Sequence, residues 1–354
     1  MYSHSEIELA IDRVERAIVC SRMRGADPYD GLTSPSMSRF SHPRLRQAAT
    51  QLVKHAPRGA RRALRVPPIR MTKALSLFLR GYVRAQSWRP QWDHRIPTLV
   101  AEIGARQSPT GGWGYEFDVQ TRWAFYPAGS SNIVVTAFAI EALNAADGME
   151  VVSEPTWRWL AESMVTDHGY VRYVPDSDRL IHNANLLGAR ALARSEMASH
   201  RSLAKDAAQI SVDRQRSDGS WRYGEGTGLE WVDNFHTVYV LSCLRDLRPH
   251  IDSSDAFDRG LSYWADTFMR RLPARYFAHS GRPIDLHNLA SALLPFSWPE
   301  VGLSEAARDR HVDSLLSFQG RDGLFRKHAF APSFTRWNNA HAFDALTAVR
   351  ATHE

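Results

Sequence analysis

Three short runs put histidine beside a carboxylate or an arginine at spacings that can move a proton. They are Asp233-Asn234-Phe235-His236, Asp285-Leu286-His287-Asn288 and Arg336-Trp337-Asn338-Asn339-Ala340-His341. Histidine is the side chain whose ordinary titration falls near neutrality, so an imidazole oriented by a carboxylate three residues away can accept and return a proton. Aspartate and asparagine are also preferred helix caps, but one cap needs one side chain, and these runs carry several. Between them lie stretches rich in aromatic rings and charge: Trp113, Tyr115, Glu116, Asp118, Arg122, Trp123 and Tyr126; Tyr170, Arg172 and Tyr173; Trp221, Tyr223, Glu225 and Glu230. Rings that stack on pyranose C–H faces, beside polar groups that fix hydroxyls, are what a sugar cleft needs. An isoprenoid pocket should be aromatic but nearly free of charge.

Two classes of carbohydrate reaction fit these residue types. Hydrolysis needs a carboxylic acid and a second carboxylate, which Glu116, Asp118, Glu225 and Asp233 offer. Proton abstraction from a uronate, by a lyase or an epimerase, needs a base, a Tyr or His on the other face, and a cation or amide on the carboxylate. His236, Tyr239, His287, Tyr115, Arg122, Arg336 and Asn338 match that list, and this reading is preferred. The expected catalytic set is His236, Asp233, Tyr115, Glu116, His287 and Asp285. The expected substrate contacts are Asp118, Arg122, Tyr126, Asn132, Asn185, Tyr223, Glu225, Asn234, Asn288, Arg336, Trp337, Asn338, Asn339 and His341. Asp233 and His236, three apart, read as a hydrogen-bonded pair rather than metal ligands, so neither a metal nor a cofactor is expected.

The elements that must carry these residues emerge from internal repetition. Gln107/Gly111/Trp113, Gln215/Gly219/Trp221 and Gln319/Gly323/Phe325 recur with the same internal spacing, and TDHGYVRY around Gly169 is a worn copy halfway between the first two. The unit is therefore about 52 residues, the length of a helical hairpin repeat. Asn132, Asn185, Asn234, Asn288 and Asn339 each open an Ala- and Leu-rich run in step with it. Those runs are apolar nearly all round, as in helices buried on every side, whereas the segments before the glutamines are amphipathic. Residues 95–354 thus predict outer and inner helices in alternation. Residues 1–94 supply a sixth pair from 6–20, 44–57 and 70–87, within the same domain. Six hairpins predict a closed all-α toroid, an α/α barrel whose inner helices start at one shared mouth. Trp113, Trp221 and Phe325 are assigned to turn packing.

Charge is unevenly placed. Residues 41–90 hold 12 Lys or Arg and no Asp or Glu, which leaves 32 basic against 38 acidic residues elsewhere. A basic segment interleaved with Leu, Val and Phe suits an anionic membrane surface or a phosphate-bearing, lipid-linked substrate. No zinc-finger spacing or stacking motif supports nucleic-acid binding. With two cysteines, no span long enough to cross a bilayer and no signal-peptide pattern, the expected location is the cytoplasm, in peripheral contact with the inner membrane face.

The Gln-x-x-x-Gly-x-Trp signature resembles the QW motif of the terpenoid cyclase and protein prenyltransferase superfamily, which implies the α/α toroid fold. The isoprenoid chemistries lack their residues here: Asp176-Ser177-Asp178 is followed by Arg179 where an acid motif needs a further Asp, no Asp-Asp-x-x-Asp occurs, and Leu241-Ser242 precede Cys243 where a zinc site needs Asp-x-Cys. The stretches Asp27–Leu32, Gly111–Asn132, Asp233–Thr237, Asp285–Ala290 and Arg336–Phe343 are similar to prenyltransferase-like toroid proteins of polysaccharide-biosynthesis clusters, which implies a glycan context. The alternatives are an isoprenoid substrate and a non-catalytic glycan-binding role.

Overall fold

The runs that follow the repeated asparagines become helices because they offer nothing to water. In α6 (Ile133–Ala145) every residue from Ile133 to Leu143 is buried, which only a helix enclosed on all sides can satisfy. The computed structural model describes residues 4–122, 124–280 and 283–352. Its chain runs through α1 (His4–Cys20), α2 (Pro43–His55), α3 (Arg58–Ala63), α4 (Thr72–Ala85), α5 (Arg95–Ala105), α6, α7 (Glu154–Arg158), α8 (His182–Ala193), α9 (Ala198–Asp213), α10 (Asn234–Leu247), α11 (Ser254–Trp264), α12 (Leu286–Leu293), α13 (Glu305–Leu316) and α14 (His341–Ala351). Helices α7 and α11 run on into π-helical turns, Trp159–Met164 and Ala265–Met269.

Helices α4, α6, α8, α10, α12 and α14 each pack on the next, and α14 packs back on α4. The ring is closed. Helices α1, α5, α9, α11 and α13, with the π turn after α7, lie against it from outside. The fold is the expected α/α toroid.

The repeated turn residues hold successive hairpins together. Gln215 Nε2 donates to the carbonyls of Gly219 (3.0 Å) and of Ala256 in α11 (2.8 Å); Gln319 Nε2 donates to Gly323 (2.9 Å) and to Ala10 in α1 (2.9 Å). The last hairpin is thereby tied to the first. Trp113 and Trp221 donate backward, to Ile103 (2.7 Å) and Ser211 (2.8 Å) in the preceding outer helices. Gly219 has φ +86°, and a Cβ there would stand 2.5 Å from the Arg259 carbonyl oxygen in α11. Gly219→Ala should therefore cost about 1–3 kcal/mol, read as a lower urea midpoint with an unchanged slope; an unchanged midpoint would contradict this account of the turn.

The five asparagines do not occupy one register. Asn132 caps α6, its side chain accepting from Val135 N–H (3.0 Å), whereas Asn185 is the fourth residue of α8, Asn234 the first of α10 and Asn288 the third of α12. Asn339 lies in a π-helical turn, Thr335–Ala340, ahead of α14. Each buried amide serves its surroundings. Asn185 accepts from Val171 N–H (2.8 Å), Asn339 from Phe325 N–H (2.8 Å) and Asn234 from Trp264 Nε1 (2.8 Å), while Asn234 donates to Asn288 Oδ1 (3.0 Å).

Residues 41–90 divide into two parts with different fates. Helix α4 completes the inner ring, and its arginines are neutralised internally, Arg84 by Asp344 (2.6 Å) and Arg80 by the same carboxylate (3.5 Å). Beyond it Arg70 pairs with Glu102 (2.6 Å) and Arg89 with Glu8 and Asp12. Helices α2 and α3 are not part of the ring; they form an added hairpin whose Arg61 is buried against Asp30 (2.5 Å). The basic face expected over the whole segment is thus confined to this hairpin, because inner-helix packing consumes the rest. No helix among the described residues is long and apolar enough to cross a membrane.

Candidate functional site

The toroid holds a cavity of ≈ 720 Å³, lined from the α2 side by Gln47 and Gln51 and from the inner helices and their loops by aromatic rings interleaved with charged and polar side chains. One repeated contact gathers the aromatics. The first N–H of an inner helix donates to the carbonyl of a loop tyrosine from the next hairpin: Ile133 to Tyr173 (3.0 Å), His182 to Tyr223 (3.1 Å) and Asn234 to Tyr276 (2.9 Å). All three tyrosines line the cavity.

At the start of α10, Asp233 is the extended residue that caps the helix, and capping geometry carries its carboxylate to the residue three ahead. One oxygen accepts from His236 N–H (3.0 Å). The other accepts from Trp231 Nε1 (2.9 Å) and lies 2.6 Å from His236 Nδ1. A carboxylate on Nδ1 assigns the proton there, so the lone pair of the neutral imidazole is on Nε2. Nε2 has no hydrogen-bond partner among the described residues, and His236 lines the cavity. Tyr223 holds the ring in place, stacked on Trp231 at 4.4 Å and tilted against His236 at 4.5 Å between centroids.

One turn further along α10, the Tyr239 hydroxyl lies 2.6 Å from His287 Nε2. Its ring centroid is 6.5 Å from that of His236. Burial pushes the Tyr239 hydroxyl well above its ordinary value, so it stays protonated. His287 and His341 stack at 3.9 Å. Burial above all, aided by the charge of Lys73, pushes both imidazoles well below the usual histidine value, and both are neutral at physiological pH.

The π turn before α14 splits the Arg336–Asn339 run. Arg336 and Trp337 face the cavity, whereas Asn338 Nδ2 donates to the Phe325 carbonyl (3.2 Å). Arg336 forms a buried two-pronged ion pair with Asp27, 2.7 Å on each arm, and lies 5.4 Å from the Tyr115 ring. Trp337 Nε1 is 3.0 Å from both oxygens of Asp285, which also caps α12. The Tyr115 and Tyr173 hydroxyls are 3.0 Å apart.

Of the residues singled out in the sequence, the structure brings Tyr115, Arg122, Tyr126, Tyr223, Asp233, His236, His287, Arg336 and Trp337 to one cavity wall. Tyr173 and Tyr239 line it as well, and the remaining residues of the expected catalytic and contact sets lie outside it. Glu116 accepts from Thr72 N–H and Oγ1, both at 2.6 Å, and burial raises its affinity for a proton. Asp118 accepts from Ala128 N–H (2.8 Å), Glu225 pairs with buried His182 (3.2 Å), and Asp285 and His341 sit behind Trp337 and His287. Asn132, Asn185, Asn234, Asn288, Asn338 and Asn339 likewise do not line the cavity, their amides being turned to helix caps, turn backbone and neighbouring buried side chains. Trp123 lies outside the described residues.

Sequence reasoning missed Lys73 and Tyr29, which also line the cavity. Lys73 is the second residue of α4, as His287 is the second of α12 and His236 the third of α10. Reading the first turn of every inner helix for a polar side chain would have found it.

No protein-family model and no curated protein sequence matches the chain. Among solved structures it is similar to a Salmonella enterica serovar Paratyphi A protein described as "a possible member of GH105 family". That match has TM-score 0.63 and 10% identity, over 99% of this chain and 95% of that one. It is also similar to a UGL variant with dGlcA-Glc-Rha-Glc, at TM-score 0.55 and 12% identity over 77% and 84% of the two chains. A third similarity is to the type II terpene cyclase MstE from Scytonema with geranylgeranyl dihydroxybenzoate, at TM-score 0.53 and 12% identity over 79% and 88%. The class is therefore an α/α toroid of the kind shared by terpene cyclases and carbohydrate-active enzymes. At these identities the likeness is one of fold.

Proposed function

We propose that the protein is an enzyme of glycan metabolism that removes the C5 proton of a uronate residue in an oligosaccharide, leading to epimerisation or β-elimination. The observation that carries this reading is the Asp233–His236 pair, 2.6 Å apart, whose free Nε2 faces an aromatic cavity. His236 takes the C5 proton, and the electron pair moves into the uronate carboxylate, where a cation must offset the growing charge. Lys73, Arg122, Arg179 and Arg336 are the cations that line the cavity. In elimination the C4–O4 bond breaks and the departing oxygen takes the Tyr239 proton; in epimerisation the C4–O4 bond stays intact and Tyr239 gives its proton to C5 on the opposite face.

The competing chemistries have less support. Hydrolysis by two carboxylates loses Glu116, Asp118 and Glu225 from the wall, and Asp233 is already occupied by three donors. Isoprenoid cyclisation passes through carbocations, which a wall bearing Lys73 and Arg336 repels. Fold neighbours that hold an oligosaccharide or an isoprenoid are compatible with either substrate. The test is incubation with uronate oligosaccharides and with neutral analogues of the same linkage. Ultraviolet absorbance follows new unsaturated ends, and proton magnetic resonance follows the C5 epimer. Change confined to the uronates is expected; hydrolysis of neutral analogues would overturn the reading.

Substrate presentation at a membrane is the second part of the proposal. Leu45 and Leu52 project from α2 at 51% and 60% exposure, beside Phe330 at 76%, whose carbonyl accepts from Arg58 N–H. Arg44, Arg58, Arg62 and Arg65 are exposed around them, and Gln47 and Gln51 on the same helix line the cavity. Apolar side chains ringed by arginine suit an anionic bilayer holding a lipid-linked glycan. The protein should float with vesicles containing acidic lipid at low salt and detach at high salt, with Leu52→Asp weakening the association. Equal binding to neutral vesicles would contradict an electrostatic contribution.

A further inference from the structure

We propose that Lys73 is the seat of the ligand's anionic group: its ammonium, on the cavity wall with no hydrogen-bond or ion-pair partner among the described residues, receives the carboxylate of a uronate. The class of ligand rests on the function proposed above; the seat itself rests on charge accounting.

Lys73 is 4% exposed. Its Nζ lies over two ring faces, 4.1 Å from the centroid of Phe138 and 5.5 Å from that of Tyr239. It also occupies the first turn of α4, where the helix dipole disfavours a cation and favours an anion. A buried ammonium with no counter-charge costs several kcal/mol and persists only where something uses it.

No neighbouring carboxylate is free to serve as that counter-charge. On the N-terminal side, Asp27 is held by Arg336, and Glu116, beside α4, by Thr72. On α14, Asp344 is held by Arg80 and Arg84. At the other helix starts, Asp233 is held by His236 and Trp231, and Asp285 by Trp337. The remaining titratable neighbours are Arg336, the neutral imidazoles of His287 and His341, and the protonated Tyr239. The anion missing from this electropositive end of the cavity is supplied by the ligand.

Binding should then draw in a proton. In the empty cavity burial, followed by the repulsion of Arg336, holds the amine well below the usual lysine value. A carboxylate beside it restores the charged form, so binding takes up a proton wherever the empty site has lost one and the loaded site has regained it.

The test uses calorimetry with saturated galacturonate and glucuronate oligomers and with neutral galactose and glucose oligomers, in buffers of different ionisation enthalpy between about pH 7 and pH 9. The protein carries His236→Ala, so that neither turnover nor that imidazole contributes. Uronate oligomers should bind with proton uptake. Lys73→Met should weaken them about 10- to 100-fold and abolish the uptake, leaving neutral oligomers unaffected. Lys73→Arg should retain uronate binding without the uptake.

The ligand-free Lys73→Met protein should melt no lower than its parent, because the apolar stem is kept and a buried charge is removed. Uronate binding that survives Lys73→Met with its proton uptake intact overturns the proposal. So does a large loss of stability in Lys73→Met, or no preference for uronate over neutral oligomers. Lys73-dependent binding with no C5 chemistry in the parent enzyme would keep the seat and reject the reaction.

Discussion

Replacing His236 with alanine should lower turnover of a uronate oligosaccharide by about 10²- to 10⁴-fold, the usual worth of one positioned general base. Folding should be nearly unaffected. The imidazole contributes its Nδ1 contact to Asp233 and ring contacts to Tyr223 and Phe235, and without it the carboxylate keeps the Trp231 indole and the helix-cap N–H. Ligand affinity should change little, since Nε2 meets the C5 proton and not the carboxylate. Asp233→Asn should give a smaller loss of rate together with a lower melting temperature, because that residue both orients the base and caps α10. If His236→Ala melts well below wild type while activity per folded molecule is unchanged, the histidine is a packing residue.

Asp27→Asn should be the most damaging single change to stability, by about 3–5 kcal/mol, because it leaves the Arg336 guanidinium buried without its carboxylate. The pair is 0% and 4% exposed at its side chains and joins the segment after α1 to the π turn before α14. Removing both charges in Asp27→Leu/Arg336→Met should recover much of the loss, because burial without a partner causes the damage, and burial as such does not. Chemical unfolding of the two variants measures this. A single variant as stable as wild type would show that water reaches Arg336 and that the pair is not structural.

The fold was legible because it repeats. A glutamine that must reach the next outer helix, a glycine whose φ is positive and whose Cα approaches another backbone, and an aromatic that must close the turn leave the same spacing three times over. Inner helices were legible from their lack of a polar face. The register within them was not: Asn132, Asn185 and Asn234 stand at the cap, the fourth and the first residue of their helices. A periodicity argument tolerates a shift of one helical turn, but the shift decides whether an amide meets the cavity or the neighbouring loop. That is why Asp233, His236, Arg336 and Trp337 reach the cavity while the asparagines do not. Glu116 and Glu225 were unreadable for a different reason. Their partners, Thr72 and His182, lie 44 and 43 residues away in sequence, and no local pattern announces such a contact. Lys73 was hidden by composition, since a segment of 12 basic residues and no acids reads as a surface. Five of those charges, on Arg61, Arg70, Arg80, Arg84 and Arg89, are in fact matched by acids from other parts of the chain.

The central claim is that His236 removes the C5 proton of a uronate. Its most direct test is the reaction of wild-type protein with a uronate oligosaccharide in deuterated water, with deuterium at C5 and unsaturated ends both read by mass spectrometry. Deuterium at C5 or new unsaturated ends in wild type, with neither in His236→Ala, is the predicted result. Product formed with C5 protium retained and no unsaturated end would contradict it.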